Sequence, residues 1–328
     1  SIVSLDSSRD QAAITIASGN DFYSSPKLSP DGSRLAWTTW NHPNMPWDGC
    51  ELWVGELNLE GRVASSRKIA GGDSESILQP EWSPTGDLYF ISDRSDWWNL
   101  YRAYGEGDEV LCPRAAEFGA PQWIFGMRFY AFSSPDEIVC LFSEPGVTKL
   151  GRIDLNAGTI EQVGLLYSGL SNVQSNGRKV ALFAGSPTLA ERVLTIDLAS
   201  AAQEVVKVSN AAHIEGGNLT IPKAIEFPTE GGTTAHAIYY APKNQDYEAP
   251  PGEQPPLMVR CHGGPTGSAG QTYSFEYQYW TSRGFAVVDV NYGGSAGYGR
   301  AYRTRLNGNW GVVDVDDLSL IHISEPTR

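Results

Sequence analysis

Two short motifs in the last quarter of the sequence contain residues that could serve acyl transfer. The first, His262-Gly263-Gly264-Pro265, follows the apolar segment Leu257–Cys261. Because glycine has no Cβ, a glycine pair after a buried strand lets backbone N–H groups face a developing oxyanion. The same glycines would also suit a tight turn without a chemical role. The strand before the motif and the α/β pattern after it favour an oxyanion-binding region formed by His262, Gly263 and Gly264.

The second motif, Gly293-Gly294-Ser295-Ala296-Gly297, matches G-x-S-x-G, the pattern of a nucleophilic serine on a strand-to-helix turn. Only one helix and one strand separate it from His262, whereas such a nucleophile follows a later strand. Gly299 weakens the helix that should start directly after the serine. No Asp and His partners follow at a useful distance, since His322 lies six residues before the end of the 328-residue sequence. We therefore interpret Ser295 as a loop residue without a histidine base and predict no catalytic residue in this chain.

Three carboxylates, Asp314, Asp316 and Asp317, follow Trp310-Gly311 and could suggest a cation site. An acidic first helical turn that complements the helix dipole is the interpretation we favour. The four cysteines form no C-x-x-C pair and the chain has only five histidines, so we predict free buried thiols, no metal site and no cofactor. Five tryptophans could line a ligand cleft, but packing between sheets is the preferred interpretation; they are Trp37, Trp40, Trp47, Trp97 and Trp98.

The composition limits the partners. A net charge of −14 argues against nucleic acid and anionic membranes, since both attract basic surfaces. No apolar run approaches the 18 residues of a membrane-spanning helix. We expect a cytoplasmic protein, and the sequence leaves its oligomeric state open. With 35 Gly and 20 Pro, the chain suits short strands and tight turns better than long helices.

The first two-thirds of the chain repeat one unit: a strand, a polar loop and a second strand. The units begin at Arg34, Leu88, Ile138 and Lys179, at intervals of 54, 50 and 41 residues. Such intervals are typical of β-propeller blades, although a generic β-sandwich is the alternative. Turns with Pro or Gly precede three of the units, the clearest being Ser-Pro-Asp-Gly and Ser-Pro-Thr-Gly. The repeat predicts antiparallel four-stranded blades up to about Ala212, with further blades before Ser1.

The pattern changes near Ile221. Residues 224–227 and 235–240 are predicted strands, and the Pro-rich segment 241–256 is a predicted exposed excursion. After Leu257–Cys261 come a predicted helix (273–283), a buried strand (285–292) and a second helix (298–306). This alternation predicts a mainly parallel α/β sheet.

Several segments together resemble the prolyl oligopeptidase family, in particular its acylaminoacyl-peptidase and dipeptidyl-aminopeptidase-like branch. The resemblance extends from Asp21 to Asp317. It is carried by FYSSPKLSPDGSRLAW, NHPNMPWDG, QPEWSPTGDLYFISDRSDWWNLYR, CHGGP, YWTSRGFAVVDVNYGGSAGYGR and LNGNWGVVDVDD. The resemblance implies that the segment around Ser295 is the loop after an early strand of an α/β-hydrolase domain. It also implies that the family's nucleophile, Asp and His lie beyond the matched residues.

The resemblance implies a partial β-propeller of about four to five blades over residues 1–215, followed by the N-terminal part of an α/β-hydrolase domain over 216–317. Residues 318–328 depart from the family pattern, and we expect them to be a non-native, adaptor-derived tail. The implied parent protein is a serine-type peptidase that acts on short peptides by acyl transfer, while this chain, truncated at both ends, is predicted to be inactive. The alternatives are a non-catalytic propeller scaffold that binds proteins and an esterase on the same hydrolase fold.

Overall fold

The computed structural model of the chain describes residues 1–5, 13–105, 107–144, 146–210, 214 and 216–324, with only the backbone described for 320–324. The chain divides into two compact units, residues 1–140 with 152–161 and residues 141–151 with 162–328. Within the described ranges, no helix combines the length and apolar character needed to cross a bilayer. The boundary at residue 215 inferred from the sequence stays a prediction.

Four antiparallel sheets of four strands each occupy the described chain between residues 22 and 208, and every sheet keeps its strands in sequence order. A two-stranded sheet of β1 (Ile2–Ser4) and β2 (Ile14–Ala17) precedes them. The first sheet contains β3 (Phe22–Leu28), β4 (Arg34–Trp40), β5 (Cys50–Leu57) and β6 (Val63–Gly72). The second contains β7 (Ile77–Trp82), β8 (Leu88–Ser95), β9 (Trp97–Tyr104) and β10 (Gly107–Val110). The third sheet contains β11 (Tyr130–Ser134), β12 (Glu137–Glu144), β13 (Val147–Asp154) and β14 (Thr159–Val163). The fourth sheet contains β15 (Gly169–Ser175), β16 (Lys179–Ser186), β17 (Leu189–Asp197) and β18 (Gln203–Val208).

The sequence repeat corresponds to the two central strands of each sheet. Arg34, Leu88 and Lys179 are the first residues of β4, β8 and β16, and Ile138 is the second residue of β12. The predicted four-stranded antiparallel sheets are therefore confirmed through β18, while Ala212 lies outside the described residues.

The turns that precede β4 and β8 have the geometry that their glycines predict. Gly32 and Gly86 have φ angles of 73° and 90°, in the left-handed region that glycine tolerates. Their N–H groups donate to the carbonyls of Ser29 and Ser83 at 2.9 and 3.0 Å. These turns join β3 to β4 and β7 to β8 as antiparallel pairs.

A core cluster of buried side chains lies where the first two sheets face each other. It includes Trp40, Leu52, Ile77 and Phe90, all less than a tenth exposed. Trp37, Trp47 and Trp98 are also buried. The interpretation that these tryptophans pack between sheets is confirmed for Trp40. Burial removes apolar surface from water and stabilises the pairing of successive sheets.

The last part of the chain forms one mixed sheet with helices. Its strands are β19 (Lys223–Pro228), β20 (Thr234–Tyr240), β21 (Leu257–Cys261) and β22 (Ala286–Asn291), in the order β19-β20-β22-β21. The helices are α1 (Phe275–Thr281), α2 (Arg300–Arg303) and α3 (Val313–Ser324), with short 3₁₀ turns at Gly216–Asn218, Glu230–Gly232 and Thr304–Leu306. Helix α3 continues into the tail that the sequence predicted from residue 318, of which residues 325–328 lie outside the described range.

The prediction of a mainly parallel sheet is wrong. Only β21 and β22 pair in parallel, whereas β20 is antiparallel to both β19 and β22. The physical reason is the length of the connections. A five-residue link joins β19 to β20 and permits only a hairpin, while the longer link from β21 to β22 contains α1 and allows a parallel crossover.

Strand β22 is buried on both faces. Val288 and Val290 pack with Phe227 on one face, and Val287 packs with Ile238 and Tyr240 on the other. A continuous apolar strand of this kind is expected when both faces of a sheet are covered. The segment 241–256 is largely exposed and has no strand or helix, as predicted.

Candidate active site

The parallel pairing of β21 with β22 brings the two sequence motifs to one edge of the sheet. Cys261 is the register partner of Val290, so both strands end at the same level. His262 follows β21 directly, and the segment that contains Ser295 follows β22. The carboxyl ends of parallel strands are where α/β proteins commonly bind ligands.

His262 and Ser295 form a hydrogen-bonded pair at this edge. The distance between His262 Nε2 and Ser295 Oγ is 2.7 Å, and Ser295 is fully buried. The Tyr292 ring stacks on the imidazole with 4.7 Å between ring centroids and 14° between planes. The Tyr292 hydroxyl also donates to the His262 carbonyl at 3.3 Å. Residue 262 is thus held at its side chain and at its backbone.

Burial lowers the pKa of His262, because desolvation disfavours the imidazolium. A neutral imidazole has one N–H donor and one acceptor nitrogen. His262 Nδ1 lies 3.4 Å from the Gly263 carbonyl, an interaction that only a protonated Nδ1 can make. Nε2 is then the acceptor for the Ser295 hydroxyl, and both polar groups of the pair are satisfied.

The expectation that Ser295 has no histidine partner is wrong, because His262 lies within hydrogen-bonding distance. Sequence reasoning treated His262 only as part of a turn, and no local signal revealed that its ring points toward the loop after β22. The surroundings nevertheless differ from those of a nucleophile. Ser295 has no exposed surface and helix α2 begins only at Arg300, five residues further on. That Ser295 is not the nucleophile stays a prediction.

The loop after β21, residues 262–274, is called the glycine loop below, and several hydrogen bonds anchor it. The Asn291 side chain accepts from Ala269 N at 2.7 Å and donates to Ala269 O at 3.0 Å. Ala296 N donates to Gly267 O at 2.9 Å. At its far end, Gln271 N donates to Gly146 O at 3.2 Å and Gln271 O accepts from Ser168 Oγ at 2.6 Å.

The tip of the glycine loop is left open. Gly263 and Gly264 are exposed, and no described residue accepts a hydrogen bond from either N–H group. A Cβ at Gly263 would meet no atom within 4 Å, so the packing of the chain does not require glycine there. Gly267, by contrast, has no room for a Cβ, which would approach the Gly263 carbonyl to 2.9 Å. N–H groups without a partner in the protein are what oxyanion binding needs, and the assignment of His262, Gly263 and Gly264 to this role stays a prediction.

The three carboxylates after Trp310 differ in their position and burial. Asp314 and Asp316 lie in the first turn of α3, as predicted. Asp317 is the fifth residue of the helix, outside its first turn, and it is buried, so its assignment to the first turn is wrong. It accepts hydrogen bonds from Gly293 N at 2.7 Å and from the Thr229 hydroxyl, because helix α3 packs against the loop after β22. Asp317 therefore helps to hold that loop.

In the described ranges, no group of three or more His, Cys, Asp or Glu side chains could hold a metal ion. All four cysteines are free, and Cys50, Cys112 and Cys140 are buried. The prediction that every thiol is buried is wrong for Cys261, which is exposed at the end of β21 where the chain leaves the sheet.

Comparison with known proteins finds chains similar to this one among solved and curated peptidases. A solved puromycin-hydrolyzing peptidase of Mycobacterium tuberculosis is 37% identical, with a TM-score of 0.90 over 97% of this chain and 50% of that chain. A puromycin hydrolase mutant solved in complex with PGG is 34% identical, with a TM-score of 0.87 over 95% of this chain and 48% of that one. The uncharacterized peptidase YuxL of Bacillus subtilis is 32% identical over 110 residues, which are 34% of this chain and 16% of YuxL.

A family model matches one segment of the chain. Residues 271–322 match the model of the prolyl oligopeptidase family, and the resemblance predicted from the motifs is thereby confirmed. The chain spans about half the length of the solved peptidases that it matches.

Proposed function

We propose that the protein containing this chain is a serine-type peptidase that cleaves short peptides by acyl transfer. The observation that carries the proposal is the likeness to a puromycin-hydrolyzing peptidase across 97% of the chain. A second relative was solved in complex with PGG, which also supports a peptide-like substrate. In this proposal, residues 1–215 belong to a partial β-propeller, and residues 216–317 form the first part of an α/β-hydrolase domain.

The proposed reaction has two halves. A serine hydroxyl attacks the peptide carbonyl carbon while a histidine takes its proton, and the C–N bond then breaks as the amine leaves with that proton. Water next attacks the acyl-enzyme ester, which releases the peptide acid and restores the serine. We assign neither the nucleophile nor its His and Asp partners to a residue of this chain, so the chain by itself is proposed to be inactive.

The glycine loop supplies the electrostatic part of this mechanism. The tetrahedral intermediate carries its negative charge on the former carbonyl oxygen, and preorganised N–H donors stabilise that charge. Gly263 and Gly264 are exposed residues whose N–H groups have no acceptor among the described residues, on a loop whose two flanks are anchored. We propose that at least one of these N–H groups binds the oxyanion. No metal or cofactor enters this mechanism, the proposed location is the cytoplasm, and neither nucleic acid nor a membrane is a proposed partner.

The experiment that tests the proposal compares the 328-residue chain with the protein expressed from its complete coding sequence. Turnover of aminoacyl and dipeptidyl anilides and labelling by a serine-directed phosphonate are measured for both. We expect turnover and labelling of the complete protein only. A complete protein that neither turns over anilides nor reacts with the phosphonate would leave the scaffold alternative, and turnover of esters alone would indicate an esterase.

A further inference from the structure

We infer that Ser295 is a positioning residue for the oxyanion-binding N–H of Gly263, acting through His262. The inference rests on the proposed function, because it assigns a role within the same reaction. It concerns a residue that the G-x-S-x-G pattern would otherwise mark as a nucleophile.

The His262 carbonyl and the Gly263 N–H belong to one peptide group, which is planar and trans. Any contact that fixes the direction of the carbonyl therefore fixes the N–H on the opposite side of the C–N bond. The Tyr292 hydroxyl donates to this carbonyl at 3.3 Å. This hydrogen bond is long, and it restrains only the backbone carbonyl of residue 262.

Ser295 restrains the side chain of residue 262. Its hydroxyl lies 2.7 Å from His262 Nε2, and the Tyr292 ring covers one face of the imidazole at 4.7 Å. Stacking on Tyr292 thus restricts the tilt of the imidazole ring, and the hydrogen bond to Ser295 restricts its rotation within the ring plane. With both the side chain and the carbonyl of residue 262 anchored, the peptide group that carries the Gly263 N–H has little rotational freedom.

The loop that carries Ser295 is itself held in place. Ser295 N donates to Tyr292 O at 2.9 Å, Ala296 N donates to Gly267 O at 2.9 Å, and Gly293 N donates to the buried Asp317 at 2.7 Å. A rigid support is needed because catalytic donors must keep their position to within a fraction of an ångström. Full burial of Ser295 suits a supporting group, since a substrate atom has no path to its oxygen in this arrangement.

The test uses the complete protein with Ser295→Ala, and Ser83→Ala as a matched control. Ser83 is also a buried serine whose hydroxyl is hydrogen-bonded, to Thr85 Oγ1 at 2.9 Å and from Asp87 N at 3.0 Å, in a turn between β7 and β8. Both substitutions remove one buried hydroxyl, so a general loss of stability would appear in both. Kinetics with a dipeptidyl anilide and inhibition by the matching peptide aldehyde and peptide acid are measured for each.

We expect kcat of Ser295→Ala to fall roughly 10- to 100-fold with little change in KM, because the donor is displaced and not deleted. Binding of the aldehyde, which forms a tetrahedral adduct, should weaken by a similar factor, while the peptide acid should bind as before. Ser83→Ala should keep all of these values. Ser295→Cys retains a weak hydrogen-bonding group of similar size, so its kcat and aldehyde affinity should lie between those of Ser295→Ala and of the unsubstituted protein. If Ser295→Ala does not fold, Ser295→Cys is tested in its place.

Two outcomes would overturn the inference alone. One is an active complete protein whose kcat and aldehyde affinity are unchanged by Ser295→Ala and by Ser295→Cys. The other is loss of phosphonate labelling in Ser295→Ala, which would make Ser295 the nucleophile. An unsubstituted complete protein without turnover or labelling would overturn the proposed function, and this inference with it.

Discussion

Gln278 lies fully buried in helix α1, and replacing it with leucine should destabilise the unit formed by residues 141–151 and 162–328. Its side chain accepts from Thr220 N at 2.8 Å and donates to Pro187 O and to Thr220 O at 3.0 Å each. Leucine fills a similar volume but satisfies none of these backbone groups. A buried polar group left without a partner costs about 1–3 kcal/mol, so three such groups predict a loss of at least about 3 kcal/mol.

The assay for this prediction is amide hydrogen exchange of the complete protein, since a local measurement does not depend on two-state unfolding. The Thr220 amide loses its acceptor in Gln278→Leu, and its exchange should accelerate at least about a hundredfold, because 1.4 kcal/mol corresponds to a factor of ten. Glu276→Gln is the control on the same helix. Its ion pair with Arg260, at 2.6 Å, is about half exposed, and its loss should cost no more than about 1 kcal/mol. An unchanged Thr220 exchange rate in Gln278→Leu would refute the reasoning.

Three further predictions concern the chain more broadly. The 328-residue chain should neither cleave peptide anilides nor react with a serine-directed phosphonate; labelling that disappears in Ser295→Ala would contradict this. Limited proteolysis should cut first within the exposed segment 241–256, and its complete protection in a native digest would be evidence against an exposed excursion. Hydrogen bonds from the Ser29 hydroxyl and from Ser33 lower the pKa of Asp31 to about 2, below its ordinary value of 3.8. Asp31 therefore contributes stability above about pH 4 that is lost as the pH falls toward 2. The free energy of unfolding of Asp31→Asn, measured against pH, should lack this loss. An identical pH dependence in both proteins would disprove the assignment.

The sequence by itself determined the local elements of the fold. The repeat beginning at Arg34, Leu88, Ile138 and Lys179 predicted the central strands of four sheets, because alternation and turn chemistry act over a few residues. The same local signals identified β21, β22 and the helices between and after them. They also separated the exposed segment 241–256 from the core, since Pro and Gly density is a property of the segment alone.

Only the tertiary structure decided the pairing of these elements and the contacts that follow from it. Strand direction depended on connection length and on neighbouring strands, which is why the sheet is mixed and not mainly parallel. His262 and Ser295 lie 33 residues apart in the sequence and meet because β21 and β22 end at one sheet edge. Asp317 is buried for a similar reason, since it accepts the Gly293 N–H across 24 residues. Side-chain partners of this kind are set by the packing of distant segments, so the local periodicity of the sequence does not predict them.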